Sequence, residues 1–221
     1  MKKIIKQPTL AEQAYESIKK MIITGELKTG EELPEEKLAA ELGISRTPLR
    51  EALKRLAGDA LIEMRKTKPA LVAKFTHQDV KEIMELRRLL EIYGIEGLSK
   101  ADQQHVLKEL RYAHEQQWEA IQAHDFVGFM DWDQWFHNQF YKFHPNQRLC
   151  ELIHAVNTGG SRAFLLLSRK VFDSAVLAHK EHGEIIEALE QGDLEKTKKQ
   201  LAVHLENIES RLLKYISQEE L

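Results

Sequence analysis

The run Leu38-Ala39-Ala40-Glu41-Leu42-Gly43-Ile44-Ser45-Arg46-Thr47-Pro48-Leu49-Arg50-Glu51-Ala52-Leu53-Lys54-Arg55-Leu56 decides how the first third of the chain folds. Gly43-Ile44 breaks it with a tight turn. Before the break, Leu38, Ala39 and Leu42 share one face of a short helix that follows Pro34. After it, Ser45 stands at an N-cap position, and Leu49, Ala52, Leu53 and Leu56 recur with the period of a helix face. Pro48 falls in the first turn of this second helix, where its missing N–H costs little. The opposite face carries Arg46, Thr47, Arg50 and Lys54. Insertion of a helix into the major groove of DNA requires such a pair, because leading side chains must reach base edges while the other face packs on the body. An arginine fork suits guanine or phosphate, and the Ser45 and Thr47 hydroxyls suit phosphates near the helix start.

Upstream, the capping box Thr9-x-x-Glu12 predicts a helix to about Thr24, with Leu10, Ala14, Ile18, Met21 and Ile22 as its apolar stripe. Downstream of Gly58 the period changes. Ile62-Glu63-Met64-Arg65 alternates, Lys66-Thr67-Lys68-Pro69 reads as a turn, and Ala70-Leu71-Val72-Ala73 reads as a second strand. The result is a hairpin with a basic tip, whose Arg65, Lys66 and Lys68 are placed to follow the DNA backbone or enter the minor groove. A linker is expected near Lys74–His77, so residues 1–75 are read as a winged helix-turn-helix DNA-binding domain and 76–221 as a separate all-helical domain.

Charge divides at the same place. Residues 1–75 hold 15 Lys/Arg against 11 Asp/Glu, a balance of +4, whereas residues 76–221 hold 17 against 24, a balance of −7. All ten histidines and all three tryptophans lie in the second part. A basic unit suits a polyanion and a histidine-rich unit suits some other partner. No run approaches the ~18–20 apolar residues of a membrane span. The basic start, Met1-Lys2-Lys3, has no apolar run behind it and is not read as a secretory signal. The single Cys150 excludes an internal disulfide and, between Leu149 and Leu152, reads as core; a reducing cytoplasm is the expected location.

The second part reads as helix throughout. Thr76-x-x-Asp79 opens a helix to about Leu98, and further helices are expected over 103–123, 126–143, 148–169, 174–191 and 194–216. Six helices in a row imply an antiparallel bundle, so the fold class is mainly α. The stripe Phe126, Phe129, Met130, Asp133, Phe136, His137, Phe140 puts a carboxylate and an imidazole one turn apart on an apolar face. His182 stands amid Ala175, Ala178, Ile185, Ile186 and Leu189, and His204 amid Leu194, Thr197, Leu201, Leu205 and Ile208. A carboxylate on an apolar face is costly unless paired or coordinating a metal. Asp133, His137, His182 and His204 therefore point into one bundle from three helices as a ligand set for zinc first, with nickel, manganese and iron accepting the same donors. Ordinary core hydrogen bonding is the alternative. His105, His114, His124, His144 and His154 lack this pattern, and His179 is at most a neighbour of the cluster.

The quoted run, with Ile23-Thr24-Gly25-Glu26-Leu27-Lys28-Thr29-Gly30-Glu31-Glu32-Leu33 before it, closely resembles the signature of GntR-type bacterial regulators. Asp133-x-x-Phe136-His137, Glu181-His182-x-x-Ile185, Gln191-Gly192-Asp193 and His204-Leu205 resemble the FCD-type helical effector domain of the FadR subgroup, in its smaller six-helix branch. The resemblance implies a homodimer on a palindromic operator, with Arg46, Thr47 and Arg50 as DNA contacts. It also implies a divalent cation held by the Asp and three His, with open positions for water or an effector carboxylate. Arg87-Arg88-Leu89-Leu90-Glu91 is similar to the Arg-x-x-Leu-Glu of such regulators. Arg87 is thus a candidate carboxylate clamp, with Glu91 one turn on as the alternative partner, and Arg162 is a second candidate. One departure is Lys68-Pro69-Ala70, where many relatives carry Arg-Gly before a small residue in the wing. The expectation is a carboxylate-responsive transcription regulator and not an enzyme. Two other readings are a regulator with a purely structural metal, and a metal-dependent enzyme, which lacks an evident general base.

Overall fold

A computed structural model describes residues 8–74, 76–158 and 174–219. Contacts divide the chain into two compact units, Met1–Lys74 and Phe75–Leu221. The fold is mainly α. Among the described residues, no helix is long and apolar enough to cross a membrane.

The first unit contains α1 (Leu10–Ile23), β1 (Glu32–Leu33), α2 (Glu35–Leu42), α3 (Arg46–Gly58), β2 (Ile62–Glu63) and β3 (Ala70–Val72). Thr9 and Glu12 form the reciprocal capping box that starts α1. Gly43 ends α2 at φ 63°, a left-handed conformation that a Cβ would strain, and so turns the chain into α3. Leu49, Ala52, Leu53 and Leu56 are all buried on α3, which packs against both α1 and α2. Ser45 occupies the N-cap position of α3 but its side chain makes no capping bond, so its hydroxyl is not committed to the helix. The sheet is antiparallel in the order β1-β3-β2, with Leu33 opposite Ala70 and Ile62 opposite Val72. β1 was not expected. At two residues it carries no alternation to read, and it exists because Gly30, at φ 75°, turns the chain onto β3.

The second unit contains α4 (His77–Ile95), α5 (Lys100–Gln122), α6 (Phe126–Asn138), α7 (Gln147–Thr158), α8 (Ala175–Glu190) and α9 (Leu194–Glu219). Capping boxes at Thr76 and Ser99 start α4 and α5, and the Asp125 side chain caps α6 through the Gly128 amide. Helix α5 packs on α6 and α8, and α9 packs on α4 and α8, which gathers α4, α5, α6, α8 and α9 around one interior. One described end differs from expectation by more than three residues. Helix α6 stops at Asn138 rather than Phe143, because the chain tightens to i→i−3 bonds at Gln139 and Phe140 while still burying Phe140. The helix expected over 148–169 is described as far as Thr158, and its remainder, with Arg162, lies outside the described residues.

Candidate functional site

Burying Leu49 and Leu53 turns the opposite side of α3 outward, and Arg46, Thr47, Arg50 and Lys54 are exposed there beside Ser45. Pro34 fixes the start of α2, so Glu35 and Glu36 stand in its first turn, facing this surface. Arg50 donates from Nε to Glu35 Oε2 at 2.8 Å, and Arg46 donates from Nη2 to Glu36. Lys66 and Lys68 are exposed on the wing between β2 and β3. Arg65, by contrast, is held within the hairpin, donating from Nε to the Pro69 carbonyl at 2.7 Å and from Nη2 to Glu32 at 2.7 Å. An open cleft of about 360 Å³ lies among Glu35, Glu36, Arg46, Arg50, Arg65 and Lys68. Outward arginines beside a basic wing form a surface suited to a nucleic-acid groove.

In the second unit the apolar stripes of α6, α8 and α9 bring His137, His182 and His204 together in the interior, each no more than 1% exposed. His182 Nε2 lies 3.1 Å from His204 Nε2, which lies 3.3 Å from His137 Nε2. Asp133 Oδ1 is 3.6 Å from His182 Nε2 and 4.0 Å from His137 Nε2. The three sequence-predicted imidazoles thus converge, and Asp133 stands beside them, nearest to His182.

Each ring is turned by a bond at its other nitrogen. His137 Nδ1 faces Glu91 Oε2 at 2.7 Å, His182 Nδ1 faces Gln117 Oε1 at 2.8 Å, and His204 Nδ1 faces Glu181 Oε2 at 2.8 Å. These oxygens accept, so each Nδ1 donates and each Nε2 is turned inward. Three lone pairs at such distances repel unless a cation stands among them. Burial, then the neighbouring imidazoles, holds His182 well below the usual histidine range. Burial also lowers His204, although its bond to Glu181 pulls the other way. A proton on His182 or His204 is therefore disfavoured. Two nitrogens bound to one zinc at about 2.1 Å are about 3.0–3.4 Å apart for octahedral or tetrahedral angles, and the observed 3.1 and 3.3 Å fit that interval. Three imidazole nitrogens and a carboxylate oxygen suit a divalent transition metal.

The next layer is ionic. Burial alone would raise the Glu91 carboxyl, but Arg87 and His137 hold it down at about 2. Arg87 Nε donates to Glu91 Oε1 at 2.7 Å, so Glu91 joins Arg87 to His137. Arg87 is 3% exposed, and its Nη1 has no hydrogen-bond partner among the described residues. Burial would likewise raise Glu181, yet its bonds to His204 and Arg211 hold it at about 2. Arg211 grips both Glu181 oxygens, at 3.0 and 2.8 Å, and Asn207 adds a bond at 2.9 Å. Beside Asp133 and Arg211 a small cavity of about 20 Å³ opens, lined also by Phe129, Met130, Ala178 and Ile208.

Gln117, Arg211 and the second role of Glu91 were not foreseen. Gln117 carried a signal, a fully buried amide one turn beyond Ala113 on the apolar stripe of α5. His179 does not touch the cluster directly. It stacks on His114 with ring centroids 3.6 Å apart, each ring nitrogen bonded to the other's backbone carbonyl, which ties α8 to α5.

Comparison with known proteins agrees with this geometry. Residues 10–72 match the family described as bacterial regulatory proteins, gntR family, and residues 82–207 match the FCD domain. The chain is 27% identical over 219 residues to the HTH-type transcriptional regulator YdhC of Bacillus subtilis, covering 94% of this chain and 92% of that one. It is 36% identical over 124 residues to the gluconate operon transcriptional repressor of the same species, covering 56% of this chain and 50% of the repressor. Among solved structures, a transcriptional regulator GntR from Rhodococcus sp. RHA1 superposes with a TM-score of 0.74 at 25% identity, covering 92% of this chain and 97% of the other. The protein belongs to the GntR family of DNA-binding transcriptional regulators and carries an FCD effector domain. These relatives are regulators and not enzymes.

Proposed function

We propose that the protein is a homodimeric regulator of the FadR subgroup, acting in the cytoplasm on a palindromic operator and controlled by a small carboxylate at a metal centre. Residues 1–75 read DNA through Arg46, Thr47 and Arg50, with Ser45, Lys54, Lys66 and Lys68 on phosphates. Asp133, His137, His182 and His204 hold a divalent cation, zinc in the first place. The observation that carries the metal is the convergence of three buried Nε2 atoms whose Nδ1 atoms are all engaged. The effector reading is supported by the Nη1 of buried Arg87, which has no hydrogen-bond partner among the described residues and leaves part of a guanidinium fork for an anion. It is supported also by one relative's being named for a gluconate operon, gluconate being a hydroxycarboxylate. A carboxylate that binds one packing of the bundle better than another shifts the population of the two, and in a dimer that alters the spacing of the DNA-reading units.

The test is operator binding with and without a panel of sugar acids and hydroxy acids, in wild type and in Arg87→Ala. Wild type is expected to lose affinity with at least one acid, and a chelator is expected to abolish the response. Arg87→Ala is expected to keep its metal and lose the response. Metal retention with no response to any acid in wild type would leave the metal as a structural element.

A further inference from the structure

The two arginines on the reading face are each paired with a carboxylate of α2, but not in the same way. Glu36 takes Arg46 at the terminal Nη2, one of the atoms that an arginine uses end-on, and its side chain is 81% exposed. Glu35 takes Arg50 at Nε, from the side, and its side chain is 29% exposed. An arginine reads guanine by two parallel bonds from its fork to O6 and N7. Held at Nε, Arg50 keeps both terminal amino groups clear of Glu35 and has its guanidinium plane biased in advance.

We propose that Glu35 is a specificity-determining positioning residue, which orients the Arg50 fork toward a base edge and stays bound to it in the operator complex. This rests on the reading that α3 enters the DNA groove. Glu36 plays the opposite part. It competes with DNA for Arg46 and must leave in every bound state, so its removal changes all affinities by a similar factor. A support that remains attached only in the aligned complex changes that complex alone, since it lowers the ordering cost of the arginine there. Nonspecific binding is a matter of phosphates and net charge, to which the orientation of one fork contributes little.

The experiment uses the full-length chain. A duplex is selected from a random 30-base-pair pool, and its affinity is compared with that of a scrambled duplex at one fixed salt concentration. Glu36→Gln is expected to tighten both duplexes alike, by a few-fold. Glu35→Gln is expected to lower the ratio of selected to scrambled affinity by about tenfold, the scale of losing one aligned bidentate pair, while the loss of its negative charge acts on both duplexes alike. It is further expected to relax base preference at the same position as Arg50→Ala, with no change in thermal stability. If Glu35→Gln instead tightens both duplexes as Glu36→Gln does, or relaxes a different position, Glu35 is a mere competitor and the inference falls. If Arg50→Ala and Arg46→Ala leave the selected affinity unchanged, the assignment of the reading helix fails first.

Discussion

Arg50–Glu35 and Arg87–Glu91 are the same chemical pair in two surroundings. The first lies at the edge of a cleft, its side chains 59% and 29% exposed, and the second is 4% and 0% exposed inside the bundle. Water screens the first pair, and exposed pairs contribute about 0–1 kcal/mol to stability. Arg50 is therefore free to turn its remaining donors to a ligand at little cost to the fold. The buried pair has no water to fall back on, and removal of one partner strands the other charge at a cost of about 3–5 kcal/mol. Burial thus sorts arginines of one sequence type into an exposed group open to a ligand and a framework group. Within the framework, Glu91 spans from Arg87 to His137, so the stability of the bundle and the orientation of the His137 ring depend on one carboxylate.

The largest effect that separates the two regions is expected at Glu91. Glu91→Ala should lower the unfolding free energy by about 3–5 kcal/mol, read as a shift in urea midpoint at constant slope. A loss under about 1 kcal/mol would show that this pair behaves like an exposed one. Next comes Gln117→Ala, which removes the hold on His182 Nδ1 without touching a ligand atom. Metal affinity should fall by about 10–100-fold, measured by competition with a chelator, and an unchanged affinity would detach Gln117 from the site.

A smaller effect is expected at His179. Burial, and then the charge of the stacked His114, lowers its pKa in the fold. A histidine with a depressed folded value binds fewer protons than the unfolded chain, so its stabilisation is complete above about pH 6.5 and is lost as pH falls toward the lower folded value. His179→Phe, which keeps a stacking ring, should make the loss of stability between about pH 7 and pH 5 shallower than in wild type, both measured in chelator. Equal slopes would remove the pair from the acid response. The smallest effect belongs to Glu35→Gln, whose stability should stay within about 0.5 kcal/mol of wild type by thermal melts. A larger loss would make Glu35 part of the framework.

What could be read in the sequence follows from the range of the forces involved. Helix starts were legible because a capping box is local, as at Thr9, Thr76 and Ser99, although only the first two were read. Leu49, Ala52, Leu53 and Leu56, and the stripes around His137, His182 and His204, were legible because burial imposes the helical period on the chain. Strand β1 was not, since two residues have no period and their pairing with Leu71 and Ala70 is set by a segment nearly forty residues away. The end of α6 was missed because Phe140 continues the apolar stripe after the helical bonds have stopped. The bonds that turn the imidazoles come from α4, α5 and α8, and those that hold Arg46 and Arg50 come from α2. Such partners are chosen by packing across elements, and no spacing in the sequence announces them.

Whether the histidine cluster is built for a cation is tested most directly by the metal content of the natively purified protein. Elemental mass spectrometry should find close to one divalent transition metal per chain in the wild type and almost none in the His182→Ala, His204→Ala double variant, with circular dichroism to confirm that both are helical. A well-folded wild type that carries no metal, and takes up none from excess zinc after dialysis, would contradict the account and return Asp133, His137, His182 and His204 to hydrogen bonding in the core.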